Sequence, residues 1–150
     1  MKKFGQLTAF LRDSVMRNAG KMDQWVENIQ LRGSGKYDGT NVLLYTQQYR
    51  AVFSIEHYAY KRYPVEQLFA QLVTWLSEND DRSELDDPDL NIDVDVLDND
   101  TADIEITLQF EEDVYITETE DGNITMSGRT WGLADPAYDI AESAQVVNGG

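Results

Sequence analysis

Cysteine is absent from this sequence, histidine occurs once and proline three times. Without cysteine there is no disulfide, no thiolate ligand and no thiol nucleophile, a composition that agrees with an intracellular protein. Long apolar runs are missing too. The longest beyond the N-terminus, Val42 to Tyr45, falls far short of the roughly 20 residues a membrane-spanning helix needs. Gln6, Thr8, Arg12 and Asp13 interrupt the N-terminal segment, so a signal peptide is not expected and the cytoplasm is the expected compartment.

Basic residues are the next scarcity. Twelve Lys and Arg stand against 28 Asp and Glu, a net charge of −16. Residues 1–62 hold ten basic and five acidic side chains, net +5, whereas residues 63–150 hold two and 23, net −21. Such a chain is poorly suited to duplex DNA, whose binding depends on Lys and Arg neutralising phosphates. If the two halves present different surfaces, a basic face of one copy could meet an acidic face of the next. The same acids could instead simply keep the domain soluble and monomeric.

What is present is periodicity. Val65, Leu68, Phe69, Leu72, Val73 and Leu76 recur at helical spacing, so Pro64 to Glu78 is expected to be an amphipathic helix. Pro64 suits its first turn, Glu66 favours the positive end of the helix dipole, and Asn79-Asp80-Asp81 should end it. Leu7, Phe10, Leu11, Ser14 and Val15 outline an earlier helix ending near Asn18-Ala19-Gly20. Period-two alternation marks strands at Val42 to Tyr45, Tyr49 to Tyr58, Leu90 to Val96, Ile104 to Phe110 and Val114 to Glu118, and Trp25 to Leu31 reads as a strand or a short helix, the strand being preferred. Gly33-Ser34-Gly35 and Asp38-Gly39 predict a flexible loop, either a plain connection or a contact arm. Asp98-Asn99-Asp100 predicts a hairpin turn, and Glu120 to Asn123 should turn the last strand back into Ile124 to Met126. The expected fold is α+β, a mixed or antiparallel sheet packed against two or more helices in α-β-β-β-α-β-β order. Residues 1–127 would form this domain and residues 128–150 a C-terminal arm, with Trp131 and Tyr138 docking it and Asn148-Gly149-Gly150 fraying.

Three segments carry a family resemblance: Phe53-Ser54-Ile55-Glu56-His57, Leu72 to Glu78, and Ile92 to Glu112 through Asp98-Asn99-Asp100-Thr101-Ala102-Asp103-Ile104. Together with the helix around Leu7, Leu11 and Val15, they resemble the tail completion protein R family of contractile-tailed temperate phages over roughly residues 1–127. The resemblance implies a small non-enzymatic protein acting late in tail assembly. It would cap the head-proximal end of the tail and make it competent for head joining, working in the host cytoplasm and remaining in the virion tail. Tail tube and sheath proteins and head–tail connector proteins would be its partners. The element order is also similar to the tail terminator fold, whose subunits form a sixfold ring, an analogy of fold alone.

Catalytic patterns are weak by comparison. A calcium loop begun at Asp93 has Asp98 at the glycine position and Ile104 where a bidentate glutamate belongs. Carboxylates are abundant, yet nothing singles out two of them as an acid/base pair. His57 neighbours Glu56 on a strand with Ser54 on the opposite face, poor geometry for a triad. No cofactor or metal is therefore expected. Tyr45, Tyr49, Tyr58, Tyr60 and Tyr63 around Lys61-Arg62 could stack single-stranded nucleic acid, but half-buried strand tyrosines explain them better. Trp25 and Trp75 are expected core anchors. Candidate contact residues are Arg32, Lys36, Tyr37, Lys61 and Arg62, polar or aromatic groups on expected loops of the basic half. An acidic DNA-mimic inhibitor is the rival reading, and it requires acids aligned on one face.

Overall fold

In the computed structural model, residues 1–14, 16–134 and 145–146 are described, so Val15, Tyr138 and Asn148-Gly149-Gly150 lie outside them. The elements are α1 (Lys2–Arg12), α2 (Met16–Ala19), β1 (Lys21–Asp38), β2 (Asn41–Tyr58), α3 (Val65–Asn79), β3 (Asn91–Val96), β4 (Ala102–Glu118), β5 (Ile124–Met126), β6 (Arg129–Leu133) and β7 (Gln145–Val146). Together they make a mostly antiparallel sheet with a few helices. Strand order is β5-β6-β4-β2-β1-β7, with β3 also pairing β4. Among the described residues, the β1–β7 pairing alone is parallel.

Three long strands dominate because segments expected to be separate are continuous. Val42 to Tyr45 and Tyr49 to Tyr58 merge into the 18-residue β2, and Ile104 to Phe110 and Val114 to Glu118 merge into the 17-residue β4. The observed order therefore has one strand fewer before α3 than expected. The glycine-rich stretch is not a loop: Gly33 to Asp38 stays in β1, and the register shift between Gly33 and Lys36 takes up its extra residue. A bulge accepts glycine in conformations other residues avoid, and Gly35 there has φ 108°. Only Gly39 and Thr40 turn the chain, Gly39 with φ 64°.

Directly paired residues share a face of a sheet. Val26, Ala51, Phe53, Ile55, Ile104, Ile106, Leu108 and Phe110 face the helices, meeting Phe4, Leu7 and Leu11 of α1 and Leu68, Leu72, Trp75 and Leu76 of α3 in one core. Burying each large apolar side chain contributes about 1.5–3 kcal/mol before entropy is charged against it. Helix α3 begins after Pro64 and ends at Asp80, as its sequence signals require. Val73, expected on its apolar face, is 53% exposed. Trp75 is buried as expected, but Trp25 is only half-buried, because its partner Val52 puts it on the face away from the helices.

The distal end of the sheet has its own small core of Val42, Ile116 and Trp131, with Leu44, Ile124 and Met126 against it. Trp131 is thus a strand residue, not part of a loop. Strand β6 pairs with both β4 and β5, so it lies between them, and the expected direct pairing of Val114–Glu118 with Ile124–Met126 is replaced. The sheet accordingly continues past residue 127 to Leu133. Gly122 makes this return possible: a Cβ there would lie 2.1 Å from the Trp131 carbonyl oxygen.

Replacing Trp131 by alanine should cost about 3 kcal/mol, as for a large aromatic lost from a core. An unfolding free energy from urea titration changed by less than about 0.5 kcal/mol would instead mark a surface residue.

Candidate assembly interface

The five residues singled out from sequence fall into two groups at opposite ends of the sheet. Arg32, Lys36 and Tyr37 lie on the outer strand of the distal β1–β2 hairpin, all exposed. Lys61 and Arg62 occupy the turn between β2 and α3, also exposed. β2 spans 18 residues between them, a separation on the order of 50 Å at about 3.3 Å per residue. They do not form one patch.

The tyrosines near Lys61 do not form a stacking platform. Tyr49 and Tyr58 are buried in the core, and Tyr60 and Tyr63 pack against it from the turn. The Arg62 guanidinium lies 5.6 Å from the centre of the Tyr63 ring, and the Tyr60 hydroxyl donates to the Asp98 carbonyl at 2.8 Å. These contacts tie the turn to the sheet and leave the Lys61 side chain outside.

A buried polar network, not singled out from the sequence, anchors the first helix. The Glu112 carboxylate accepts the backbone N–H of Lys2 at 2.9 Å and of Lys3 at 3.3 Å, and also the Tyr49 hydroxyl. Tyr49 in turn accepts the Phe4 N–H at 3.1 Å. A carboxylate from a distant strand thus satisfies the orphan donors of the N-terminus of α1 and complements its dipole. Beside it, Asp80, with a side chain 1% exposed, pairs with Lys3 at 2.5 Å and Arg82 at 2.9 Å. The acid expected merely to end α3 therefore also joins its end to the start of α1. A signal for Glu112 does exist: it continues the inward alternation Ile106, Leu108, Phe110 toward Val114 and Ile116.

The acidic run is built into strands and turns. Asp98 accepts from the backbone N–H groups of Asp100 and Thr101, and these bonds hold its carboxyl below its ordinary pKa. Among the described residues, no group of three or more His, Asp or Glu is placed to hold a metal ion. His57 sits at a strand irregularity with φ 52°, its N–H donating to Asp103 at 3.0 Å. A depression of about 620 Å³ lies beside Tyr49 and Leu108, and its polar lining is mainly the amides Asn28, Gln30, Gln48 and Gln109 with Arg50, Asp87 and Asp89. Among the described residues, no helix is long and apolar enough to cross a membrane.

Residues 1–136 match the model of the P2 phage tail completion protein R (GpR) family. The chain belongs to the GpR family. It is also similar to a 19.2 kDa protein from the rep–hol intergenic region of Haemophilus phage HP1 (strain HP1c1), 29% identical over 147 residues, covering 96% of this chain and 89% of that protein. No solved structure matches. Membership assigns the chain a role in bacteriophage tail completion and virion assembly, and the GpR match includes β6, beyond the roughly 127 residues over which the resemblance was drawn.

The anchoring network predicts an alkaline limit to stability. Burial, then the charge of Glu112, pushes the Tyr49 phenol well above its ordinary pKa, and burial, then Glu66, pushes Tyr58 up to about 12. Both values rise on folding, so their stabilisation is complete below pH ~10, where unfolded tyrosine ionises, and is lost as pH rises through the folded values. Tyr49→Phe should flatten this limb and, by depriving Glu112 of a donor, cost about 1–3 kcal/mol near neutral pH. Urea midpoints measured from neutral to strongly alkaline pH check both effects.

Proposed function

We propose that this GpR-family chain is a non-enzymatic capping factor: copies bind the head-proximal end of the tail, stop growth of tube and sheath, and present a surface for head joining. The family match over residues 1–136 carries the reading. Two further features support it. The polar groups lining the depression beside Tyr49 are mostly carboxamides, with Arg50, Asp87, Asp89, Thr107 and Tyr49 among them. The four candidate basic groups, Arg32 and Lys36 in one pair and Lys61 and Arg62 in the other, stand at opposite ends of a long sheet, an arrangement suited to a part that touches different neighbours at its two ends.

The partners are then tail tube and sheath proteins on one side and connector proteins on the other, with copies arranged as a ring, sixfold by analogy with tail terminators. Assembly takes place in the host cytoplasm and leaves the protein at the head-proximal end of the virion tail. Arg32, Lys36, Tyr37, Lys61 and Arg62 are the contact residues of this reading.

Inactivating the gene in its parent phage should yield full heads beside unattached or overlong tails in electron micrographs, and supplied protein should restore joined particles. Normal joined virions from the inactivated phage would sink the capping role and favour an acidic DNA mimic. Reversing Lys61 and Arg62 to glutamate should reduce joined particles in the same assay while leaving the melting temperature nearly unchanged, since exposed turn residues contribute little to stability. A large fall in melting temperature would make them structural.

A further inference from the structure

β1 and β3 are the outer strands of the four-strand run β1-β2-β4-β3. Among the described residues, β7 covers β1 only at Trp25 and Val26, and none pairs with the outer edge of β1 from Glu27 to Asp38. Among the described residues β3 likewise pairs only with β4. Exposed edges of this kind are templates for another strand. Neither edge contains proline.

The two edges complement each other face by face. On the side away from the helices β1 carries Arg32 and Lys36, opposite Thr46 and Leu43, flanked by Glu27, which pairs with Arg50, and by Asp38 at the strand end, while β3 carries Asp93 and Asp95, opposite Glu105 and Asp103. Among the described residues, none of these two cations and two β3 acids has an ion-pair partner. On the helix side β1 exposes Leu31 (61%) and Tyr37 (65%), and β3 exposes Val94 (46%) and Val96 (61%). Spacing agrees as well. Arg32 projects through Thr46 to Asp113 and Lys36 through Leu43 to Tyr115, so the bulges compress four residues into two steps of the β4 ladder. Two steps also separate Asp93 from Asp95. Within β3 and β4, moreover, acids stand directly opposite acids, Asp93 by Glu105 and Asp95 by Asp103, an unfavourable arrangement that incoming cations would relieve.

We infer that copies of this chain join edge to edge, the distal edge of β1 in one copy adding antiparallel to β3 of the next. Arg32 then meets Asp95, Lys36 meets Asp93, and Leu31 lies opposite Val96. Successive strands in the run are antiparallel, so β3 opposes β1 in direction and a rotated copy continues the same pattern with its helices on the same side. Two different edges make the contact heterologous, the kind that closes into a ring. β3 lies level with the start of β1, so neighbours are displaced along the strands by roughly 30 Å at about 3.3 Å per residue. The inference rests on the ring of the capping reading and names the contact within it; Lys61 and Arg62 remain for tail or head.

The lack of cysteine supplies the test. A chain with Leu31→Cys and Val96→Cys, supplied to the inactivated phage and also purified, should give on mild oxidation a ladder of covalent multimers beyond the dimer. Each single variant should stop at the dimer. Adding Arg32→Glu and Lys36→Glu, or Asp93→Lys and Asp95→Lys, should abolish the ladder, and the four reversals together should restore it. Melting temperatures identify any variant that fails to fold, and mixing the two oppositely reversed chains provides the same rescue in trans. A chain that completes tails without giving a ladder overturns this contact and leaves the tail role standing. A ladder from a chain that restores no tails supports the contact and overturns the role. A ladder that survives either pair of reversals, or is not restored by the four together, overturns the charge pairing.

Discussion

A carboxylate on the helix-facing side of the longest central strands has to be satisfied, and the way Glu112 is satisfied organises this end of the molecule. It takes the Tyr49 hydroxyl and the first backbone donors of α1, which would otherwise be orphans at a helix N-terminus lacking a side-chain cap. The first helix is therefore held by the strand it packs on, and Phe4, Leu7 and Leu11 enter the core as a consequence. Asp80 repeats the logic at the end of α3, its own buried carboxylate taking Lys3 and Arg82. Removing one partner from such a network leaves a buried charge exposed to desolvation cost, so these residues stand or fall together.

The long strands matter for a different reason. β1, β2 and β4 run well beyond the area covered by helices, and among the described residues their far end is closed by the small Val42, Ile116 and Trp131 cluster. Extending strands past the core creates edge, and edge is a hazard for a monomer unless shielded. Here the bulges and the cations Arg32 and Lys36 discourage indiscriminate pairing, while an acidic edge is admitted. For a GpR-family protein that completes a tail, a selective edge is more useful than a sealed one.

Charge follows the same division. In the first 62 residues the excess of cations lies in the two helices and in the turn after β2, whereas β1 and β2 each carry as many acids as bases, and the acids concentrate from α3 onward. On the sheet the division is local: on the face away from the helices Arg32 and Lys36 stand at the β1 side of the four-strand run and Asp93 and Asp95 at the β3 side. A net −16 chain can in this way stay soluble and still offer one edge to acids.

Much of the fold was legible. α3 was readable from spacing and its proline start, the β3–β4 hairpin from alternation and its Asp-Asn-Asp turn, and family membership from short segments of phrasing. Strand continuity was not: Gly33-Ser34-Gly35 has turn chemistry, and only cross-strand pairing with Tyr45 and Leu43 turns it into a bulge. Glu112 could have been placed inward had β4 been taken as unbroken, but an acid there looks like a break until Tyr49 and α1 supply its partners. Of the five candidate contact residues, their exposure was foreseeable and their distribution was not, because the length of β2 alone separates them. Local periodicity and charge order are properties of consecutive residues, and the sequence by itself determined those. Which strands were continuous, which acids were buried and which edges stayed open depended on partners distant in the chain, and only the tertiary structure decided them.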